Sequence, residues 1–228
     1  MYKLHFVNGR SLIIDLHLNR KLVVITGSGK EALKRIKLLE NEECDIIVLG
    51  EKPHPGIIKF AKQKKIKFQK TKLTSTIFLK KLKPFLVIAS TSDAKLNQKI
   101  IQTAQKMKIL GYASDSPESS DISYLSLIDI KKTIQVGIST SGASPIMAKK
   151  IKSKTEKFLQ KNISSRDLEL IKIQKFARNE SKKYISSQPE RKKFLYEIMN
   201  DKRVKELLKD EKYKLIQTVI KKMVKDWQ

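Results

Sequence analysis

Residues 21–32, Lys-Leu-Val-Val-Ile-Thr-Gly-Ser-Gly-Lys-Glu-Ala, constrain the fold more than any other stretch. An unbroken apolar run from Leu22 to Ile25 enters a turn holding Gly27 and Gly29, and apolar positions at helical spacing follow at once. Such a run reads as a strand buried on both faces, as in a parallel sheet. Gly27-x-Gly29-x-x-Ala32 has the spacing of a dinucleotide fingerprint. Gly27 permits the tight turn, Gly29 lets the backbone approach a pyrophosphate, and Ala32 lets the helix pack closely on the strand. The helix N-terminus adds amides and a positive field for phosphate. Ser28 lies inside this turn and Lys30 just after it, where its charge can aid phosphate binding. No Gly-Lys-Ser/Thr follows, which sets a P-loop aside. The spacing also occurs in ordinary turns; the strand before it and the helix after it give it weight.

Strand and helix signals then alternate. Strands are expected over 44–49, 66–69, 85–89 and 109–113, and helices over 31–39, 56–64, 75–82 and from Asp93 onward. This order predicts a doubly wound α/β fold, a Rossmann-like parallel sheet. The pattern changes after residue 114. A polar loop over 114–121 precedes two apolar strands, 124–130 and 133–138, which read as a hairpin or extended pair outside the first sheet. From Ser144 the chain reads as helical, with Ser144 a good cap and Pro145 a good first residue. Ile146, Met147, Ile151 and Phe158 form the expected apolar side of that helix. Two or three more helices follow, with breaks near 161–165, 186–189 and 200–201. They are expected to bury Phe194, Leu195, Ile198, Val204, Leu207, Leu208, Leu215, Ile216, Val219, Ile220 and Met223. The reading gives three regions: a dinucleotide-binding domain over 1–113, a central strand and substrate region over 114–143, and a C-terminal helical domain over 144–228.

The chain carries 49 basic and 23 acidic residues, a formal net charge of +26 spread over both its halves. That charge predicts attraction to polyanions: nucleic acid, anionic lipid or an acidic small molecule. No apolar run is long enough to span a membrane, and the first residues lack the apolar core and cleavage site of a signal peptide. A lone cysteine, Cys44, excludes an internal disulfide and a cysteine-rich metal site, and reads as an inert thiol at a strand start. His5, His17 and His54 show no metal-ligand spacing, so no metal site is expected. A cytoplasmic protein is the simplest reading.

Further polar residues fall at predicted strand ends, where a doubly wound sheet places its ligands. Glu51, just past the second strand and roughly 20 residues after the fingerprint, can accept hydrogen bonds from an adenosine ribose and so favour NAD. Its neighbour Lys52 would instead favour a 2′-phosphate, and a plain surface pair is the third reading. Ser90 and Thr91 follow the 85–89 strand and can touch the cofactor; Asp93 reads as the cap of the next helix, and Asn97 faces either the site or solvent. Asp115 lies just after a strand in a polar loop, where a carboxylate can take a proton from a substrate. Glu118 and Asp121 lie close by, and spacing alone does not choose among the three acids. Ser139, Thr140, Ser141, Gly142 and Ser144 offer hydroxyls and amides before a helix, a turn suited to an anion or carboxylate.

These segments, taken in order, resemble the precorrin-2 dehydrogenase family, the NAD-dependent module of siroheme synthase. Residues 12–16, Leu-Ile-Ile-Asp-Leu, are similar to its opening strand, and Val23-Val-Ile-Thr-Gly-Ser-Gly-Lys-Glu-Ala-Leu-Lys-Arg35 to its cofactor turn. Leu86-Val-Ile-Ala-Ser-Thr-Ser-Asp-Ala-Lys-Leu-Asn97 resembles a third signature, and Ile138-Ser-Thr-Ser-Gly-Ala-Ser-Pro145 is the most specific match. Arg191-Lys-Lys-Phe-Leu-Tyr-Glu-Ile-Met199 resembles a helix of longer prokaryotic members. The resemblance implies oxidation of precorrin-2 to sirohydrochlorin with NAD+ as hydride acceptor. It also implies a homodimer built through the central strands and C-terminal helices. Asp115 takes the position of the family's proposed catalytic aspartate, and Ser139 that of a serine in the substrate pocket. The implied substrate is an anionic tetrapyrrole, a chemical counterpart for the positive charge. Some relatives also insert iron into the product, which admits Fe2+ as a co-substrate.

Three departures stand out. Ser28 replaces the middle of three glycines, a change expected to be tolerated with the side chain pointing outward. Tyr112-Ala-Ser-Asp-Ser116 replaces the usual Asn-Val-x-Asp-Asp. Ser141 replaces one of two glycines in the later turn. The rival reading is a non-enzymatic dinucleotide-binding protein with a basic surface for nucleic acid or a protein partner. The charge leaves nucleic acid open, but no zinc finger, RNA-recognition signature or basic and aromatic interleaving supports it.

Overall fold

A computed structural model describes residues 12–227. The reading of the first residues, His5 among them, lies outside the described residues. The chain divides into two compact units, residues 12–124 and residues 125–227.

The first unit is built on a parallel sheet of β1 (Leu22–Thr26), β2 (Asp45–Gly50), β3 (Lys67–Lys70), β4 (Leu86–Ala89) and β5 (Leu110–Ala113), in the order β3-β2-β1-β4-β5. Every pairing is parallel, with Val24 opposite Ile47 on one side and Val87 on the other. Between the strands run α1 (Lys30–Leu39), α2 (Pro55–Lys62), α3 (Ile77–Leu82) and α4 (Ala94–Lys106). Alternate strand residues face opposite ways, which builds two cores. On one face Val23, Ile25, Val48 and Ile88 meet Ala32, Ile36 and Leu39 of α1 and Ile57 of α2. On the other, Val24, Leu49, Val87 and Ala89 meet Phe78 and Leu79 of α3 and Leu96, Ile100 and Ala104 of α4. The unbroken apolar strands of the sequence are therefore strands covered on both faces.

The expected opening strand over 12–16 is not formed. Leu12, Ile13 and Ile14 are exposed, and the segment reaches the first core only at Leu16 and Leu18. It pairs with no described strand, so its apolar residues have no ladder to hold them extended.

The second unit opens with an antiparallel hairpin of β6 (Ser126–Ile130) and β7 (Ile134–Ile138). Its three-residue loop, 131–133, sets Lys131 and Lys132 at φ 49° and 54°, both in left-handed backbone. Asp129 supports the turn by accepting from the Lys132 amide at 2.7 Å. Then come α5 (Pro145–Asn162), α6 (Ser165–Tyr184), α7 (Gln188–Asn200), α8 (Lys202–Lys209) and α9 (Tyr213–Lys225). Helices α5 to α8 start on side-chain caps: Ser144 for α5, a reciprocal Ser164–Asp167 box for α6, Ser187 for α7 and Asp201 for α8. A bundle core gathers Ile173, Ala177, Phe194, Ile198, Val204, Leu208, Ile216, Ile220 and Val224. Leu215 departs from expectation and is 52% exposed, because the inward face of α9 is set by Ile216, Ile220 and Val224. Ile146, Met147, Ile151 and Phe158 of α5 are likewise exposed; of this helix only Ala148 is buried. No helix among the described residues is long and apolar enough to cross a membrane.

Candidate active site

The order of the parallel sheet reverses between β1 and β4, and ligands of such sheets bind in the crevice outside the carboxyl ends at that point. Gly27 leaves β1 and Ser90 leaves β4, and the two turns touch. The Ser90 amide donates to the Thr26 carbonyl at 3.0 Å, and its hydroxyl donates to the same oxygen at 2.7 Å. A Cβ on Gly27 would lie 2.3 Å from the Ser90 carbonyl oxygen, and Gly27 has φ +88°. Glycine is required there both for the turn and for the close approach.

Gly29 is different. A Cβ there would meet nothing within 4 Å. Gly29 is also the N-cap of α1 and supplies no side-chain cap, so no cap side chain covers the first amides of α1. Open room over an uncapped helix start fits a pyrophosphate. The residues present therefore suit a dinucleotide. Lys30 is exposed at the first helical position, and Glu51 is exposed just beyond β2.

Ser28 does not point outward as expected. It is buried, and a Cβ on Gly50 would lie 2.5 Å from its Oγ. The side chain is accommodated because the end of β2 has no side chain opposite it. The Ser28 carbonyl accepts from the His54 amide at 2.8 Å, and His54 Nδ1 caps α2 through the Gly56 amide at 3.1 Å. His54 thus serves the fold of the loop. Among the described residues no cluster of His, Cys, Asp and Glu could hold a metal ion. Cys44 is partly buried, and burial pushes its thiol up.

The three acids after β5 separate clearly. Asp121 accepts from the Gly111 amide at 2.8 Å and from Gln105 Nε2 at 3.1 Å, tying its loop to β5 and α4. Glu118 accepts from the Ser116 hydroxyl within a short 3-10 turn, which holds its carboxyl below the usual range. Asp115 is exposed at the end of β5, and its Oδ2 accepts from Asn97 Nδ2 at 2.9 Å.

Asn97 is the residue that sequence reasoning placed only halfway. It is 1% exposed. Its Oδ1 accepts from the Thr91 amide at 3.1 Å and the Thr91 hydroxyl at 2.7 Å; its Nδ2 donates to the Thr91 carbonyl at 3.0 Å as well as to Asp115. A flipped amide would oppose donor to donor and acceptor to carboxylate, so the network fixes its orientation. Asp93 caps α4 as expected, accepting from the Leu96 amide at 3.0 Å. Gly27, Ser28, Gly29, Lys30, Glu51, Ser90, Thr91 and Asp115 thus all fall at the carboxyl edge of one sheet.

The turn at Ser139–Ser144 belongs to the second unit. Thr140 is committed to the turn: its carbonyl accepts from the Ala143 amide at 2.9 Å and its Oγ from the Ser144 amide at 3.1 Å. Ser139 Oγ accepts from the Ser141 amide at 3.0 Å, and Ser144 Oγ caps α5 through Met147 at 3.2 Å. Ser141 at φ 50° and Gly142 at φ 78° both occupy left-handed backbone, the conformation that glycine supplies without strain.

A family model described as "Putative NAD(P)-binding" matches residues 14–126. The precorrin-2 dehydrogenase of Bacillus subtilis (strain 168) is 31% identical over 148 residues, 65% of this chain and 88% of that protein. The chain belongs to the precorrin-2 dehydrogenase/siroheme synthase family. The family's longer members match too. The siroheme synthase of Mannheimia succiniciproducens is 25% identical over 92% of this chain but only 43% of its own length. That of Nitrosococcus oceani is 27% identical over 64% of this chain and 30% of its own. The solved structure of SirC, a precorrin-2 dehydrogenase, superposes with a TM-score of 0.67 at 20% identity, over 95% of this chain and all of that one. It shows the same family fold.

Proposed function

We propose that this chain oxidises precorrin-2 to sirohydrochlorin in siroheme synthesis, with NAD+ as the hydride acceptor. The observation that carries the reading is the exposed Asp115 carboxylate, oriented by Asn97 at the sheet edge beside the Gly27 and Ser90 crevice. The 31% identity to a precorrin-2 dehydrogenase over most of that protein's length supports it.

The oxidation removes two electrons and two protons from the tetrapyrrole. Bound NAD+ would take one hydrogen as hydride. The backbone of Gly27, Ser28 and Gly29 and the start of α1 at Lys30 would hold the pyrophosphate, Glu51 the adenosine ribose, and Ser90 with Thr91 the opposite wall. Asp115 would accept the remaining proton, a role that asks for a carboxylate within reach of the substrate and held in one orientation. In the second unit, Ser139, Thr140, Ser141, Gly142 and Ser144 are proposed to bind substrate carboxylates, chiefly through the hydroxyls of the exposed Ser139 and Ser141. The net charge of +26 favours capture of an anionic tetrapyrrole.

A homodimer belongs to the same reading. Ile146 is 80% and Phe158 64% exposed on α5, and a second copy would cover them. Ferrochelation, with Fe2+ as co-substrate, is the finer extension of this function.

Asp115→Ala tests the central role. Turnover should fall about 100-fold or more, within the range of lost general-base catalysis, while NAD+ binding stays near normal. Unchanged turnover would remove Asp115 from the mechanism.

A further inference from the structure

A buried carboxamide is costly unless its hydrogen-bonding positions are filled, and Asn97 fills four of them with only two residues. Three bonds go to Thr91, to its amide, hydroxyl and carbonyl, and the fourth goes to the Asp115 carboxylate. Thr91 and Asp115 follow different strands, β4 and β5, which lie side by side in the sheet. They have no backbone link at this edge beyond the Ser114 amide bond to Ala89 at 3.0 Å.

Thr91 is also the wall of the cofactor crevice. A Cβ on Gly27 would stand 3.0 Å from the Thr91 nitrogen, and 2.3 Å from the oxygen of Ser90 before it. One side chain therefore holds both the loop that packs on the glycine turn and the exposed carboxylate. It does so from α4, whose start is fixed by the Asp93 cap and whose inner face is buried through Leu96, Ile100 and Ala104.

We infer that Asn97 is the positioning residue of the reaction, holding the Asp115 carboxylate in fixed register with the Ser90–Thr91 wall of the dinucleotide crevice. The inference rests on the assignment of Asp115 as the proton acceptor. Its physical content is geometric. Donation from Nδ2 restricts the Asp115 rotamer, and the three bonds to Thr91 anchor the donor. Without Asn97 an exposed aspartate would sample several rotamers, and displacement of a reacting group by about 1 Å can cost on the order of 100-fold in rate.

The test is a double-mutant cycle on single-turnover oxidation of precorrin-2 by the full chain with saturating NAD+, using Asn97→Ala, Asp115→Ala and the pair. If Asn97 acts through Asp115, Asn97→Ala lowers kcat about 10- to 100-fold in the parent but changes the Asp115→Ala background by less than about 3-fold. A purely structural asparagine would cost the same factor in both backgrounds, and that result overturns the inference while leaving Asp115 in place. Should Asp115→Ala itself turn over like the parent, the assignment of Asp115 fails instead. Asn97→Asp, assayed well above the carboxylate range and with its melting curve beside the parent's, keeps the volume and the acceptor toward Thr91 while losing donation to Asp115 and to the Thr91 carbonyl. Its kcat should fall as far as that of Asn97→Ala, and parent-like turnover in it would overturn the inference.

Discussion

The Ser28 side chain fills the space that a Cβ on Gly50 would need, with Oγ 2.5 Å from that position. The two residues come from the first and second strand ends, so a side chain at one requires its absence at the other. Gly50→Ala should destabilise the protein by about 1–3 kcal/mol through overpacking. Adding Ser28→Gly should recover most of that loss, read as the coupling in a thermal or denaturant cycle. Additive losses would show that the contact is slack.

Gly27 and Gly29 should separate stability from cofactor binding. Gly27→Ala meets the Ser90 carbonyl and an unfavourable φ of +88°, so it should cost about 2 kcal/mol or more and abolish NAD+ binding with it. Gly29→Ala meets nothing. It should leave stability within about 1 kcal/mol of the parent and weaken NAD+ by about 10-fold or more, a loss of about 1.4 kcal/mol. Calorimetric binding beside thermal melts checks both.

Arg35 is buried on α1, paired with Glu31 and hydrogen-bonded to the Tyr112 hydroxyl at 2.9 Å. Its guanidinium also lies 4.7 Å from the Tyr112 ring centre and 4.4 Å from that of Tyr124. Tyr124 is 38% exposed as a residue, but desolvation of its hydroxyl pushes it up to about 12, with Arg35 pulling the other way. The folded state thus keeps its proton longer than the unfolded chain, whose tyrosine titrates near 10.0. The corresponding stability is intact below that value and is lost as pH rises through about 12. Tyr124→Phe should therefore lose less thermal stability than the parent across that alkaline window. Parallel losses would contradict the upward shift of the Tyr124 hydroxyl.

At the other end of the pH range the relevant group is Asp201. It caps α8 through the Val204 amide at 3.0 Å, and Arg203 at 2.9 Å holds its carboxyl below the usual range. A lowered folded value means stability present above the unfolded carboxylate range and lost as pH falls through the folded one. Asp201→Ala should cost about 1 kcal/mol at neutral pH, and the difference from the parent should shrink on acidification. A difference that does not change with pH would exclude the charged cap.

The first unit was largely legible because its signals are local. Val23, Val24 and Ile25 could only be a strand covered twice, and Gly27 and Gly29 marked where it ends. The cap residues Asp93 and Ser144 announced their helices in the same way. What stayed hidden depends on distant partners. Nothing near Asn97 in sequence indicates that it reaches Asp115, and nothing near Ser28 reveals the empty place at Gly50. The break between α8 and α9 has no local signal, because Asp210, Glu211 and Lys212 include neither Gly nor Pro; Glu211 makes the turn in left-handed backbone at φ 55°. Ile146 and Phe158 read correctly as an apolar stripe, but a stripe does not say whether the same chain or another covers it.

The central claim is tested most directly by incubating the purified protein with precorrin-2 and NAD+ without oxygen, following NADH absorbance and the sirohydrochlorin spectrum together. The account predicts one NADH formed for each sirohydrochlorin. Absence of both products, with NAD+ binding shown intact, would contradict it.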